Sequence, residues 1–210
     1  MLKKVRYNSP VVLSFALISF IALILNMITS GKINHLLFST YRSSLTSPLM
    51  YIRLFTHVLG HSSLQHYTNN MAYILLLGPM LEEKYGSKKL LICIAVTAFI
   101  TGIANNLLFR SSLLGASGIV FMMIVMSSMT SIKSGTIPLT FILVVIIYLG
   151  QEVYSALFVY DNISQFTHIV GGLCGGYLGY ILSKKSWWWK TSSIFYFVID
   201  RRKRLSIIQG

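Results

Sequence analysis

Ser117 stands in Gly115-Ala116-Ser117-Gly118, a setting that suits a nucleophile. A nucleophilic hydroxyl needs an approachable backbone and a nearby amide donor, and the flanking Gly115 and Gly118 supply both. The same tetrapeptide also describes a small-residue helix start that lets helices pack closely. A base for the serine is offered by His168, which begins His168-Ile169-Val170-Gly171-Gly172-Leu173-Cys174-Gly175-Gly176. Helical spacing puts Gly171, Gly172, Gly175 and Gly179 on the His168 face, and a stripe without side chains admits a neighbouring helix. If that neighbour is the helix opened by Ser117, the imidazole comes within hydrogen-bond reach of Oγ. The other reading is plain helix packing with a histidine at the interface.

No carboxylate is positioned to complete a triad. The acids are Glu82, Glu83, Glu152, Asp161 and Asp200, and Asp161, seven residues before His168, falls in a connection. A Ser–His dyad is expected, with the imidazole taking the Ser117 proton and returning it to the leaving amine.

A second polar group gathers at His57, His61, His66 and Asn70. His57 and His61 have the i, i+4 spacing of a zinc pair. The metalloprotease form requires Glu directly after the first His, and Val58 stands there. No nearby carboxylate or thiol offers a third ligand, so no metal is expected. His66 and Asn70, also i and i+4, share a face and can both donate to an oxyanion.

The elements that must position these groups are apolar spans. Charge-free runs extend over 7–31, 62–81, 90–109, 111–132, 134–151 and 162–183. Each is long enough for a spanning helix, which needs roughly 17 to 25 mainly apolar residues. The expected fold is therefore an all-α bundle of six transmembrane helices. Lys3, Lys4 and Arg6 ahead of the first run resemble the start of a signal peptide. No small-x-small cleavage site follows, so the run is read as the first helix. Cys93 and Cys174 fall within spans and read as small buried apolar groups rather than a disulfide. Residues 1–186 form the transmembrane domain, and 187–210 a basic, aromatic tail suited to the inner interface. The connection from Thr29 to Gly60 is long and partly apolar, and is expected to lie in the membrane interface as short helices.

Charge sets the orientation. With the N-terminus inside, Lys3, Lys4, Arg6, Lys84, Lys88, Lys89, Lys133, Lys184, Lys185, Lys190, Arg201, Arg202, Lys203 and Arg204 are inside. Only Lys32, Arg42, Arg53 and Arg110 of the 18 basic residues are outside. This positive-inside asymmetry puts both termini in the cytoplasm. The net charge of +13 is then an orientation signal and a contact for the lipid bilayer, not a sign of nucleic acid. Charged residues make up 11% of the chain, against about a quarter in soluble domains. Under this topology His66, Asn70, Ser117 and His168 share one depth, in the outer leaflet. Polar groups within spans are costly and by default mark function.

These residues resemble the rhomboid family of intramembrane serine proteases. Arg53-Leu54-Phe55-Thr56-His57-Val58-Leu59-Gly60-His61, through His66 and Asn70, is similar to its second-helix motif. Gly78-Pro79-Met80-Leu81-Glu82-Glu83-Lys84-Tyr85-Gly86-Ser87 looks like the inner turn that follows. Ser117 within G-x-S-G, and His168 with Gly171 and Gly175, complete the set in family order from about Arg53 to Ser183. The resemblance implies a six-helix fold with a water-filled cavity open to the outside. It implies cleavage of single-span membrane proteins near the outer face, without a cofactor, in a multi-pass protein of a bacterial cytoplasmic membrane. Ser117 would be nucleophile and His168 base. His66, Asn70 and the Ser117 amide would form the oxyanion hole, and Glu82 would tie the inner turn. Two positions depart from the pattern: Ile52 precedes Arg53 where Trp is common, and Phe121 stands where Tyr packs on the catalytic imidazole. Two rivals are weighed against this. An inactive relative that binds and escorts membrane proteins would have lost Ser117 or His168, and both are present. A small transporter would show repeated halves, and no repeat is found.

Overall fold

The computed structural model describes residues 7–129, 165–183 and the helical positions 139, 142, 143, 146 and 147. The basic tail and most of the fifth charge-free run lie outside the described residues. Six helices with defined bounds come first: α1 (Pro10–Ile28), α2 (Lys32–Leu37), α3 (Pro48–Thr56), α4 (Leu64–Tyr85), α5 (Ser87–Leu108) and α6 (Ser117–Ser128). A further helix, α7, covers 165–183. Among the described residues there is no strand. Helices α1 and α5 are long and apolar enough to cross a membrane. Their outward faces carry large apolar side chains such as Leu17, Ile21, Ile28, Leu91 and Leu107.

The expected short helices of the long connection are α2 and α3, followed by a 3-10 turn at His57–Leu59. His57 and His61 do not lie on the helix that carries His66: His57 is in the 3-10 turn, His61 is in the coil after it, and α4 starts only at Leu64. The i, i+4 zinc spacing therefore has no helix to express it. The His57 ring donates from Nδ1 to the Arg53 carbonyl (3.1 Å), and burial pushes it down to about 4, which keeps it neutral.

The start of α1 is capped from α4. Pro10 at the first turn needs no partner for a missing N–H. The next two amides, of Val11 and Val12, donate to the two carboxylate oxygens of buried Glu82 at 3.0 and 3.1 Å. Ser87 Oγ donates to the same carboxylate at 2.7 Å. A negative charge at a helix N-terminus meets both the unpaired amides and the positive end of the dipole. The family-implied tie of Glu82 to the turn is present, and it reaches further than that reading foresaw.

The connection before α6 is held by the long loop. Thr40 and Leu113 exchange backbone hydrogen bonds of 2.9 and 2.8 Å. Arg42 Nε donates to the Asn106 carbonyl (2.7 Å) and its Nη2 to that of Leu107, satisfying carbonyls at the end of α5. Asn105 Nδ2 donates to the Ser111 carbonyl at 3.1 Å. The core between the helices is aliphatic and Met-rich, from Val12, Phe15 and Ile74 to Leu81, Ile119, Met122 and Met126. Cys93 and Cys174 are buried free thiols within it.

Candidate active site

Ser117 is the first residue of α6, where sequence reading placed it. Its own amide and the next two have no intrahelical acceptor, because a helix begins pairing only at its fourth donor. Those N–H groups and the helix dipole face the turn Gly115-Ala116. Gly115 has φ +122°, a conformation that L side chains rarely adopt. It is also where His66 arrives: a Cβ at Gly115 would lie 2.8 Å from both Cε1 and Nε2 of the imidazole. The Gly115 amide donates to the His57 carbonyl at 3.0 Å, which fastens the turn to the 3-10 segment. Two independent constraints therefore require glycine at this one position.

From the other side comes α7. A Cβ on Gly171 would lie 2.2 Å from the Gly118 carbonyl oxygen, and one on Gly175 would lie 2.3 Å from that of Met122. Backbone meets backbone at both places, which only a missing Cβ permits. At Gly179 the nearest approach is 3.3 Å, to Met129 Cβ. Gly172 departs from the expectation that grouped it with this stripe. Its Cβ would meet Val125 at an ordinary 3.6 Å, because one hundred degrees of helical rotation carries it off the tight line.

His168 thus stands one helical turn before the Gly171–Gly118 contact, at the end of α7 nearest the start of α6. Its ring stacks on Phe121, with centroids 4.2 Å apart and planes inclined by 5°. Phe121 was noted as a departure from the usual Tyr, and the ring-on-ring packing is kept without the hydroxyl. Ser117 and His168 are both partly exposed, so the region between them is reachable.

Asn70 lies one turn below His66 on α4 and is buried. Its Nδ2 has no hydrogen-bond partner among the described residues. Burying a donor without a partner costs about 1–3 kcal/mol, so such a group is retained for a reason other than stability. His61 packs edge-on against His66 with centroids 5.0 Å apart. Its Nδ1 donates to the Leu59 carbonyl at 3.1 Å, and burial, helped by the nearby His66, lowers it to about 4.

Sequence reasoning missed the supports. Ser63 caps α4 by accepting the His66 amide at 3.1 Å, and Ser62 Oγ lies 3.1 Å from His66 Nδ1. A Ser-Ser pair just before an apolar helix is an N-cap signal that was open to reading. The Thr40, Arg42 and Asn105 contacts carried no such local signal, because each has a partner more than sixty residues away: Leu113, Asn106 and Thr40 respectively.

A family model for the rhomboid domain matches residues 48–185, which takes in α3 through α7. Over 139 residues the chain is 26% identical to Rhomboid protease GlpG of Haemophilus influenzae, a match covering 64% of this chain and 72% of that protein. The matched region contains both ends of every close approach just described around Ser117. With more than half of its length under that one model, this helical chain belongs to the rhomboid family and is an integral membrane protein.

Proposed function

We propose that this protein is an intramembrane serine protease that cleaves single-span membrane proteins near the outer face of a bacterial cytoplasmic membrane. The observation that carries this is the backbone contact of Gly171 with Gly118, with the Phe121–His168 stack beside it. It supports the reading because it packs the histidine-bearing helix α7 against the start of α6, as a pairing of imidazole with Ser117 in nucleophilic catalysis would require. The accompanying topology has six spanning helices with both termini cytoplasmic, and the reaction needs no cofactor.

In this reading His168 accepts the Ser117 proton as Oγ attacks the scissile carbonyl. The Ser117 amide, His66 Nε2–H and Asn70 Nδ2–H receive the developing oxyanion. Collapse breaks the C–N bond, and His168 returns its proton to the leaving amine. His168 then draws a proton from water, which hydrolyses the acyl-serine and regenerates the hydroxyl. Phe121 holds the ring plane in place of the hydrogen-bonding carboxylate of a triad. A site in the outer leaflet of this topology suits peptide bonds at the end of a transmembrane segment.

The test is a fluorophosphonate probe together with a single-span reporter substrate. Wild type labels and cleaves; Ser117→Ala and His168→Ala each insert, fold and do neither. The double variant is no worse than either single one, because members of one catalytic unit are not additive. Clear cleavage by purified Ser117→Ala removes the serine from the mechanism. Failure of folded wild type to label favours the inactive escort relative instead.

A further inference from the structure

His66 is gripped twice by the residues ahead of α4. Its amide donates to Ser63 Oγ, and its Nδ1 lies 3.1 Å from Ser62 Oγ. The opposite edge of the ring, Cε1 and Nε2, lies over Gly115 in the turn that leads to Ser117. A neutral imidazole carries one N–H, and its other nitrogen is then an acceptor. A serine hydroxyl can serve either nitrogen state, so the Ser62 contact admits two tautomers. Only one of them is useful at the far edge, because an oxyanion requires a donor there. When Ser62 donates into Nδ1, the proton is held on Nε2. His61, with its own Nδ1 tied to the Leu59 carbonyl, packs edge-on against the same ring and limits its tilt.

We propose that Ser62 is a positioning residue that holds His66 in its Nε2–H tautomer, facing the turn before Ser117. The inference rests on the reading of His66 as an oxyanion donor. Ser62 touches no reacting atom and acts only through the imidazole. The donor is thereby preformed and needs no reorganisation when charge develops. Ser62 is exposed, so shortening it leaves no cavity and no buried orphan.

The experiment uses the full-length protein in detergent micelles and a fluorophosphonate probe. In the labelling step Ser117 Oγ bonds to phosphorus, fluoride leaves, the proton passes to His168, and the phosphoryl oxygen takes the oxyanion position. Ser62→Ala lowers kinact about 3- to 10-fold, the range that one neutral hydrogen bond supports. KI and Tm stay unchanged, and Ser62→Thr, which keeps the hydroxyl, restores the rate. On a His66→Ala background Ser62→Ala has no further effect. The imidazole 15N shifts of His66 report a bare Nδ1 in wild type and a tautomer mixture in Ser62→Ala. A wild-type kinact in Ser62→Ala, alongside a slowed His66→Ala, overturns the proposal and leaves the role of His66 standing. So does a loss in Ser62→Ala that Thr does not recover or that persists without His66. A wild-type rate in His66→Ala instead overturns the underlying reading of the oxyanion hole.

Discussion

Gly175→Ala tests whether helix α7 serves the chemistry by its shape. Gly175 lies two helical turns below His168 and touches no reacting atom. The added Cβ would sit 2.3 Å from the Met122 carbonyl oxygen, where ordinary contact begins at 3.4 Å. The opposing atom is backbone within α6 and cannot swing away, so the helices must part by about 1.1 Å, the difference between those two distances. If α7 translates rigidly, His168 retreats by the same amount. If α7 instead tilts about its Gly171 contact, Gly175 lies about 6 Å below the pivot and His168 about 4.5 Å above it, at 1.5 Å per residue. The catalytic end then swings by about 0.8 Å in the other direction, against a contact that is already backbone on backbone. Either way the displacement is close to 1 Å, which costs on the order of 10²-fold in rate at a catalytic group. Gly176→Ala is the matched control, since its Cβ would meet Val125 Cγ1 at 3.8 Å. The assay is the rate of fluorophosphonate labelling, with circular dichroism and monodispersity to verify the fold. Gly175→Ala should label on the order of 10²-fold slower than Gly176→Ala. Equal rates for the two variants would refute the argument that the stripe sets the position of His168.

Removing the charge that caps α1 should cost stability and not chemistry. Glu82→Gln loses the carboxylate at two amides and a helix dipole, worth about 1–2 kcal/mol, so Tm falls while labelling per folded molecule stays at the wild-type value. An unchanged Tm would show that the buried cap is offset elsewhere. The loop histidines give a pH dependence with a definite sign. His57 and His61 both fall from 6.5 to about 4 on folding, so the unfolded chain binds protons more tightly and stability declines as pH drops through that window. At 1.36 kcal/mol per unit the loss is on the order of 3 kcal/mol for each histidine, and thermal melts at pH 7 and pH 4.5 should differ by many degrees. Superimposable melts would mean that neither imidazole is held neutral.

Much of the candidate site was legible because its signals are local. The serine between small residues, the histidine heading a glycine run, and the His66–Asn70 pair are each complete within a few residues. Phe121 was identified by its offset from Ser117, and the structure gives that ring its stacking role. The break between the loop histidines and α4 was less legible. His57 and His61 fit a helical period on paper. The chain instead breaks after the 3-10 turn, since Gly60 must pass against Phe38, where a Cβ would lie 2.2 Å from its carbonyl oxygen. No local pattern encodes that crossing.

The division between sequence and structure follows from the range of each interaction. Apolar run length and the distribution of charge are one-dimensional quantities, and the solvent acts on them directly. They decide on their own that this chain is helical and suited to a bilayer. The order of the motifs, likewise, is carried by the chain itself. Which glycines touch is another matter: Gly171 meets Gly118 while Gly172, its neighbour, meets only Val125, and a rotation of α7 by one residue would exchange them. The cap of α1 by Glu82, seventy residues away, and the hold of Arg42 on the end of α5 are likewise products of packing. Close packing admits few rotations and registers of one helix on another, and the whole core selects among them. The identity of the candidate side chains was therefore written locally, and the approach of α7 to α6 was decided only when the helices closed.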